Sequence, residues 1–348
     1  MSAIPSKVVS AYDLGRVFST ERIPIGFIHQ TYKIQAEKGT FILQRMHPIL
    51  SSEAVAEDFW AVTQFLKKHR FPAPEGVPNK DGKFLTPDGL NVWRMQTFLP
   101  GETMETIGSP ATAYEAGLIF ARFHRTLNKI EHQFRAPVIL HNTEECYAAF
   151  QQAVKKYSGT DLLKQVAPEV EFVADELPKL FLPHDLPLRV IHGDPKITNI
   201  LFDEHGKAEA IIDLDNCNRQ DILGELGDAF RSWCGKEEED PKNEFRLDLF
   251  QAGWKGYSKG AQGFLIAREK EYLPQALGTI TLELASRFLT DYFNDSYFGW
   301  DDRRYGSRRA HNLARARGQI ALYQDLRKKM GEVREIVKES AFLPGRPL

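Results

Sequence analysis

The sequence predicts an α+β fold of two lobes, a small mixed β-sheet lobe over residues 1–99 and a larger, mainly helical lobe over 100–348. Three observations predict it. In the first hundred residues, short apolar runs of strand type surround a single helical pattern. Pro100-Gly101 then interrupts the chain with the two residues that punctuate structure most strongly. Beyond them apolar residues recur at helical spacing, broken by one short β segment.

Phe41-Ile42-Leu43 is the first strand-type run. Val55, Phe59, Val62 and Leu66 recur at steps of three and four, with Ser51 or Ser52 placed to cap the start of that helix. Phe71-Pro72-Ala73-Pro74 is expected to end it, because proline cannot continue a helix. Asp81-Gly82 predicts a hairpin turn into Lys83-Phe84-Leu85, and Asn91 to Phe98 predicts another strand. After the boundary, Ser109 caps and Pro110 opens a helix whose apolar face is Ala113, Ala116, Phe120, Phe123 and Leu127. Leu277, Ile280, Leu284 and Phe288 mark a second long helix, and Leu313, Ala316, Ile320 and Tyr323 a third. Between them Ile200-Leu201-Phe202 and Ala210-Ile211-Ile212 flank Glu204-His205-Gly206-Lys207, a hairpin by length and turn chemistry.

Composition excludes several classes of function. Lys plus Arg number 45 against 47 Asp plus Glu, a net charge of -2, whereas nucleic-acid and anionic-membrane partners demand a basic excess. Cys146, Cys217 and Cys234 show no metal-ligand spacing and fit a reducing, cytoplasmic setting. Met1 to Ser10 lacks the apolar core of a secretion signal, and no stretch approaches the roughly 20 apolar residues that span a bilayer. A monomer or weak dimer is expected. Six arginines between Arg303 and Arg317 form a basic cluster, but Asp301, Asp302 and the balanced total speak against nucleic acid. Glu237 to Asp240 is expected to be a solvated loop, and Trp254 and Tyr257 to be core residues.

The chemistry lies in His192-Gly193-Asp194-Pro195-Lys196-Ile197-Thr198-Asn199, then the hairpin, then Ile212-Asp213-Leu214-Asp215. Folding the hairpin back brings Asp213 beside the loop that holds Asp194 and Asn199, a hard-oxygen cluster suited to Mg²⁺. Phosphoryl transfer needs metal ions to neutralise the phosphates and a carboxylate to hold the attacking hydroxyl in line. A lone loop Asp is ordinarily a turn former or a cap. Here loop, hairpin, Ile-Asp-Leu-Asp and a later Gly227-Asp228 occur together and in order. Asp215 either touches metal or substrate or merely follows the true ligand. His192 fits a structural histidine better than a proton shuttle.

These strings resemble the aminoglycoside phosphotransferase and choline-kinase-like superfamily, whose loop has the pattern H-G-D-x-x-x-x-N and whose metal-binding Asp follows an apolar pair. The resemblance implies a protein-kinase-like fold, ATP as phosphoryl donor and Mg²⁺ as metal. It further implies Asp194 as catalytic base, with Asn199 and Asp213 as metal ligands. Gly224-Glu225-Leu226-Gly227-Asp228 looks like the segment that follows in the family, where an acidic residue buttresses the catalytic loop. Asp228 receives that structural role.

The small lobe departs from the family pattern. Gly26-Phe27-Ile28-His29-Gln30-Thr31-Tyr32 occupies the place of a phosphate-covering loop, which makes Gly26 and Thr31 candidate nucleotide contacts, although a plain hairpin explains one glycine equally well. The superfamily usually places Lys or Arg on the strand matching Phe41 to Met46. Aligning the apolar residues puts Gln44 there, with Arg45 on the opposite face. Either Arg45 swings in through a bulge, or Lys196 supplies the charge from the catalytic loop. Lys196 is preferred, because a positive group near the γ-phosphate is valuable wherever it originates. Gln96-Thr97-Phe98-Leu99 is the expected hinge, with Gln96 and Phe98 at the adenine.

Toward the C-terminus, Glu283 to Tyr292, Tyr297-Phe298 and His311 to Arg317 look like the N-acetylhexosamine 1-kinase branch of the superfamily, as do Gly26 to Tyr32 and Ile42 to Met46. That resemblance implies transfer to the anomeric hydroxyl of N-acetylglucosamine or N-acetylgalactosamine, an amino-sugar partner for ATP. Arg287, Tyr297, His29 and Asp215 supply planar donors, acceptors and an aromatic face for a sugar. A surface ion-pair ladder with Glu283 and Asp291, four residues to either side, explains Arg287 without a ligand. A same-fold kinase of an amino alcohol, homoserine or an aminoglycoside is the competing reading and calls for an acidic pocket. A non-catalytic nucleotide-binding module is the third, supported by the absent strand lysine and opposed by Asp194, Asn199 and Asp213.

Overall fold

A computed structural model describes residues 4–23, 29–136 and 141–339, and Gly26 lies outside them. The chain divides into two compact units. The first comprises Met1–Thr103, Arg125–Val138 and Asn199–Arg219; the second comprises Met104–His124, Ile139–Thr198 and Gln220–Leu348.

The first unit is built on an antiparallel sheet. Its strands are β1 (Val17–Ile23), β2 (Gln30–Ala36), β3 (Gly39–Arg45), β4 (Gly76–Val77), β5 (Leu85–Asp88) and β6 (Asn91–Thr97), in the order β1-β2-β3-β6-β4 with β5 also on β6. In β2 the alternation of Tyr32, Ile34 and Ala36 puts every second side chain in the core. There they meet Leu43, Trp93 and Met95 of the neighbouring strands, and Val8 of the short helix α1 (Ser6–Ser10).

Helix α2 (Glu53–Lys68) starts where expected: the Ser52 hydroxyl accepts the Val55 N–H at 3.3 Å. It ends before the prolines, because Arg70 turns left-handed (φ 56°) and the Phe71 N–H closes on the Leu66 carbonyl. Asp81-Gly82 does form a turn, organised by the Asn79 side chain, which accepts the N–H groups of Asp81 and Lys83. The hairpin between β5 and β6 closes at the next Asp-Gly, where Asp88 faces Asn91. Strands β8 (Ile200–Phe202) and β9 (Ala208–Ile211) form the hairpin that the sequence predicts, its turn braced by the Asp203 carboxylate on the His205 and Lys207 N–H groups.

The second unit is helical. Its principal helices are α3 (Pro110–Leu127, whose last turn from Arg125 belongs to the first unit), α4 (Thr143–Lys156), α5 (Asp161–Gln165), α6 (Ala167–Glu176), α7 (Ile222–Cys234), α8 (Leu247–Ala261), α9 (Ala267–Asn294) and α10 (Arg308–Glu339). Strand β7 (Leu188–Ile191) leads into His192, and β10 (Asn218–Asp221) carries the chain back into this unit. The core forms where α9 packs on α4, α6 and α10 through Phe150, Val173, Leu289, Phe293 and Ile320. Gly227 lets α7 reach α9: a Cβ there would stand 2.6 Å from Ile280 and 2.8 Å from the Ala276 carbonyl. Trp254 and Tyr257 are buried and stack on one another, as core residues do.

The acidic run is not a free solvated loop. Glu237 pairs with Arg304, Glu238 with Arg315, and Glu239 with His311 and Arg315. These carboxylates and Asp295 and Glu169, which meet Arg309 and Arg317, neutralise much of the arginine cluster. Among the described residues no helix is long and apolar enough to cross a membrane.

Candidate active site

In the second unit β7 delivers a tightly held loop. The Glu225 carboxylate, in the first turn of α7, accepts the N–H of His192 through one oxygen and that of Gly193 through the other, each at 2.9 Å. Gly193 is left-handed (φ 84°), which glycine adopts without strain. Burial alone would raise the Glu225 pKa. The His124 ring at 3.0 Å and the Gly193 N–H reverse this and hold it below the ordinary range, so the clamp stays ionised. The Asp194 N–H donates to His192 Nδ1 at 3.2 Å, within the turn. The Trp233 indole N–H holds the Pro195 carbonyl at 2.9 Å. The expected buttress, Asp228, stands three residues after Glu225 on the same helix.

Asp194 stands half-buried on this loop with the Lys196 ammonium 3.0 Å from Oδ1. Partial burial would lower the Lys196 pKa, but the Asp194 charge outweighs it and the net shift is upward. Asp228 adds to the field on Lys196. It is bonded to Arg231 at 2.7 Å and lies 3.8 Å from His141, whose other ring nitrogen is 2.9 Å from Glu283. The Arg231 charge and His141 hold the Asp228 carboxyl far below its usual range against the effect of burial.

Arg287 is 3.9 Å from Glu283, and its guanidinium faces the Phe298 ring. The Glu283 half of the expected ladder is present, on a buried rather than a surface carboxylate, and Asp291 is buried as well. Asp291 accepts the backbone N–H groups of Ser296, Tyr297 and Phe298, each at 2.8 Å, and the Asn312 amide at 2.9 Å. It thereby folds the segment that displays Tyr297, which is 70% exposed. A cavity of about 190 Å³ opens here, lined by Cys146, Arg287, Thr290, Asp291, Tyr297 and Phe298 among others. Arg287 and Tyr297, 10 residues apart in the chain, therefore share one pocket.

The remaining candidates lie in the first unit. Asn199 opens the β8–β9 hairpin and its carbonyl accepts the Ile212 N–H at 3.0 Å, which brings Asp213 to the same end of the hairpin. Asp213 is left-handed (φ 62°, ψ 57°), a conformation Asp tolerates better than most residues but rarely adopts without cause. One amide and one carboxylate are a suitable protein donor set for Mg²⁺, which completes its shell with phosphate oxygens and water. Among the described residues no cluster of three or more His, Cys, Asp or Glu forms a dedicated cage. Asp215 is buried, with both oxygens on the Arg94 guanidinium and one of them 3.2 Å from His29 Nε2. Thr31 faces Gln44 across β2–β3, and Arg45 faces Trp93 across β3–β6. Gln96 lies within the sheet between β3 and β4, and the Phe98 N–H already donates to the Thr40 carbonyl.

Sequence reasoning missed Glu225, His141 and Arg94. Glu225 stands in the Gly-Glu-Leu-Gly-Asp string, where its offset from Asp228 on α7 offered a second acid to consider. His141 and Arg94 carry no local signal, since their partners are 50 to 142 residues away.

The chain is a small-molecule kinase with a hydroxyl acceptor, the class that its family match shows. The chain belongs to the phosphotransferase enzyme family, whose sequence model matches residues 19–260. A homoserine kinase of Zymomonas mobilis is 25% identical over 262 residues, covering 74% of this chain and 76% of that one. Among solved structures, an aminoglycoside phosphotransferase from Alicyclobacillus acidocaldarius superposes with a TM-score of 0.70 at 13% identity, covering 97% of this chain and 98% of that one. A microcompartment-associated aminopropanol kinase superposes with a TM-score of 0.64 at 17% identity, covering 93% and 97%. These likenesses extend the α+β, protein-kinase-like fold over nearly the whole chain.

Proposed function

We propose that the chain transfers the γ-phosphoryl group of ATP to the anomeric C1 hydroxyl of an N-acetylhexosamine, with the small unit binding nucleotide and the helical unit binding the acceptor. In this reading Asp194 accepts the hydroxyl proton and aligns the oxygen for in-line attack. Lys196, already paired with Asp194, carries positive charge toward the transferred phosphate. Asn199 and Asp213 hold Mg²⁺, which when bound neutralises phosphate charge. Thr31, Arg45, Gln96 and Phe98, with Gly26, are assigned to the nucleotide.

The observation that carries the choice of acceptor is the pocket of Arg287 and Tyr297. Its carboxylate, Asp291, is fully committed to backbone N–H groups and Asn312, and the rest of the lining includes Arg287, held beside Glu283 and Phe298, the exposed ring of Tyr297 and small polar groups. Such a lining suits a neutral polyol with an amide better than a polycation, which requires free carboxylates. His29 bonds Asp215, and Asp215 also bonds Arg94, so in this reading the acceptor is assigned to Arg287 and Tyr297.

A second reading has its own support. Relatives named homoserine kinase and the aminopropanol kinase structure favour an amino alcohol or amino acid acceptor, and Arg287 would then meet a carboxylate. Incubation with Mg·ATP and separate N-acetylhexosamines, homoserine, amino alcohols and aminoglycosides, followed by phosphorus NMR, separates the two. A sugar 1-phosphate is expected, with Asp194→Asn slower by about 100- to 10,000-fold. Phosphohomoserine or an amino-alcohol phosphate would replace the acceptor and keep the kinase.

A further inference from the structure

The sheet of the first unit contains a buried ion cluster built around Arg94. Arg94 lies on β6 directly opposite Gln44 of β3, so the two side chains share a face of the sheet. It is 2% exposed. One terminal nitrogen donates to the Gln44 amide oxygen at 2.7 Å and to Asp215 Oδ2 at 2.9 Å, and the other bonds Asp215 Oδ1. Phe59 of α2 covers the guanidinium plane 4.0 Å away. The His47 N–H donates to His29 Nδ1 at 3.1 Å, which leaves the ring proton on Nε2, directed at Asp215 Oδ2. The carboxylate thus receives three donors from Arg94 and His29.

A buried ion pair is a poor device for stability, since a well-packed apolar pair of similar volume often does as well or better. This one also leaves Arg94 Nε buried with no hydrogen-bond partner among the described residues. What a bidentate fork does supply is a fixed direction. Asp215 sits in the turn Leu214–Asn216, which immediately follows left-handed Asp213 and packs on α2. We propose that Arg94 is a positioning residue: through Asp215 it locks that turn to the sheet and so fixes the backbone on which Asp213 presents its carboxylate to the metal. The proposal rests on the reading of Asp213 as a metal ligand. Under it, the cation expected at Gln44 has a counterpart on the adjacent strand, and its charge is spent on Asp215.

The test is Mn²⁺ affinity, measured by electron paramagnetic resonance with AMP-PNP bound. Arg94→Met alone strands a buried carboxylate and risks misfolding, so the decisive variant is Arg94→Met/Asp215→Leu, which removes both charges. It is expected to fold, by circular dichroism, and to bind Mn²⁺ about 10- to 100-fold more weakly than the unaltered chain, the usual size of an outer-shell effect. Arg94→Lys, which keeps the charge and loses the fork, is expected to fall between the two. Unaltered Mn²⁺ affinity in the folded double variant would overturn the role of Arg94. Asp213→Asn is the parallel measurement: if it too leaves Mn²⁺ affinity intact, the metal reading itself fails and takes the Arg94 role with it. If Asp213→Asn weakens Mn²⁺ and the double variant does not, only the positioning role is lost.

Discussion

Burial alone would strip His141 of its proton, yet its position between Glu283 and Asp228 has the opposite result and pushes its pKa up to about 10. The sign of the consequence follows from linkage. The folded value lies above the unfolded one near 6.5, so folding is favoured in full below about pH 6.5 and the benefit disappears as pH rises through about 10. The free energy of urea unfolding should therefore decline across that window by a few kcal/mol. His141→Gln should flatten the decline and lower stability at neutral pH, because two buried carboxylates then face each other without the imidazolium. An equal slope in both proteins would show that His141 is neutral in the native state. The same pairing has a bearing on the proposed site, since Asp228 also acts on Lys196 and Arg231 feels Asp194.

Among the structural elements, the segment between α9 and α10 shows how a buried acid shapes an exposed surface. Asp291 uses both oxygens to gather three successive N–H groups, and these bonds set the position of Tyr297. Asp291→Asn exchanges one acceptor oxygen for an amide that cannot accept, opposite either Phe298 N–H and Asn312 or the N–H groups of Ser296 and Tyr297. The expected outcome in steady-state kinetics is a higher KM for the acceptor with KM for ATP unchanged; equal changes in both would place the effect on the whole chain. Elements differ in how far sequence announces them. Helix α2 and the β8–β9 hairpin declare themselves through a cap, a spacing and a turn, all local signals. Strand β1 does not, because most of its residues are exposed and no alternation survives. Asp194, Asn199 and Asp213 are singled out by an ordered set of short strings, which is likewise a local signal. Arg94 is not, because a buried arginine in a strand gains its meaning from Asp215, 121 residues later. Glu225 illustrates the intermediate case: the string identified the helix, but the bonds of this acid to the His192 and Gly193 N–H groups join residues more than 30 positions apart.

For the molecule as a whole, the structure distributes the charge balance of -2 locally. Arginines of the C-terminal cluster meet Glu237, Glu238, Glu239, Asp295 and Glu169, so the cluster does not present a bare basic face. Function then enters stability through ligand linkage. A nucleotide that binds only the native chain stabilises it by about 2.7 kcal/mol at 100 times its Kd, so AMP-PNP with Mg²⁺ should raise the melting temperature by several degrees. If Asn199 and Asp213 bind nucleotide through the metal, EDTA should abolish most of that rise, and Asp213→Asn should show little of it at any Mg²⁺ concentration within the physiological range. Asp194→Asn should keep the full shift while losing transfer, because its proposed work lies with the acceptor hydroxyl and not with the metal. A shift that survives EDTA would mean that the nucleotide is held by the sheet alone and would remove Asn199 and Asp213 from the metal site. The thermal measurement therefore tests the metal half of the proposed function independently of which hydroxyl receives the phosphate.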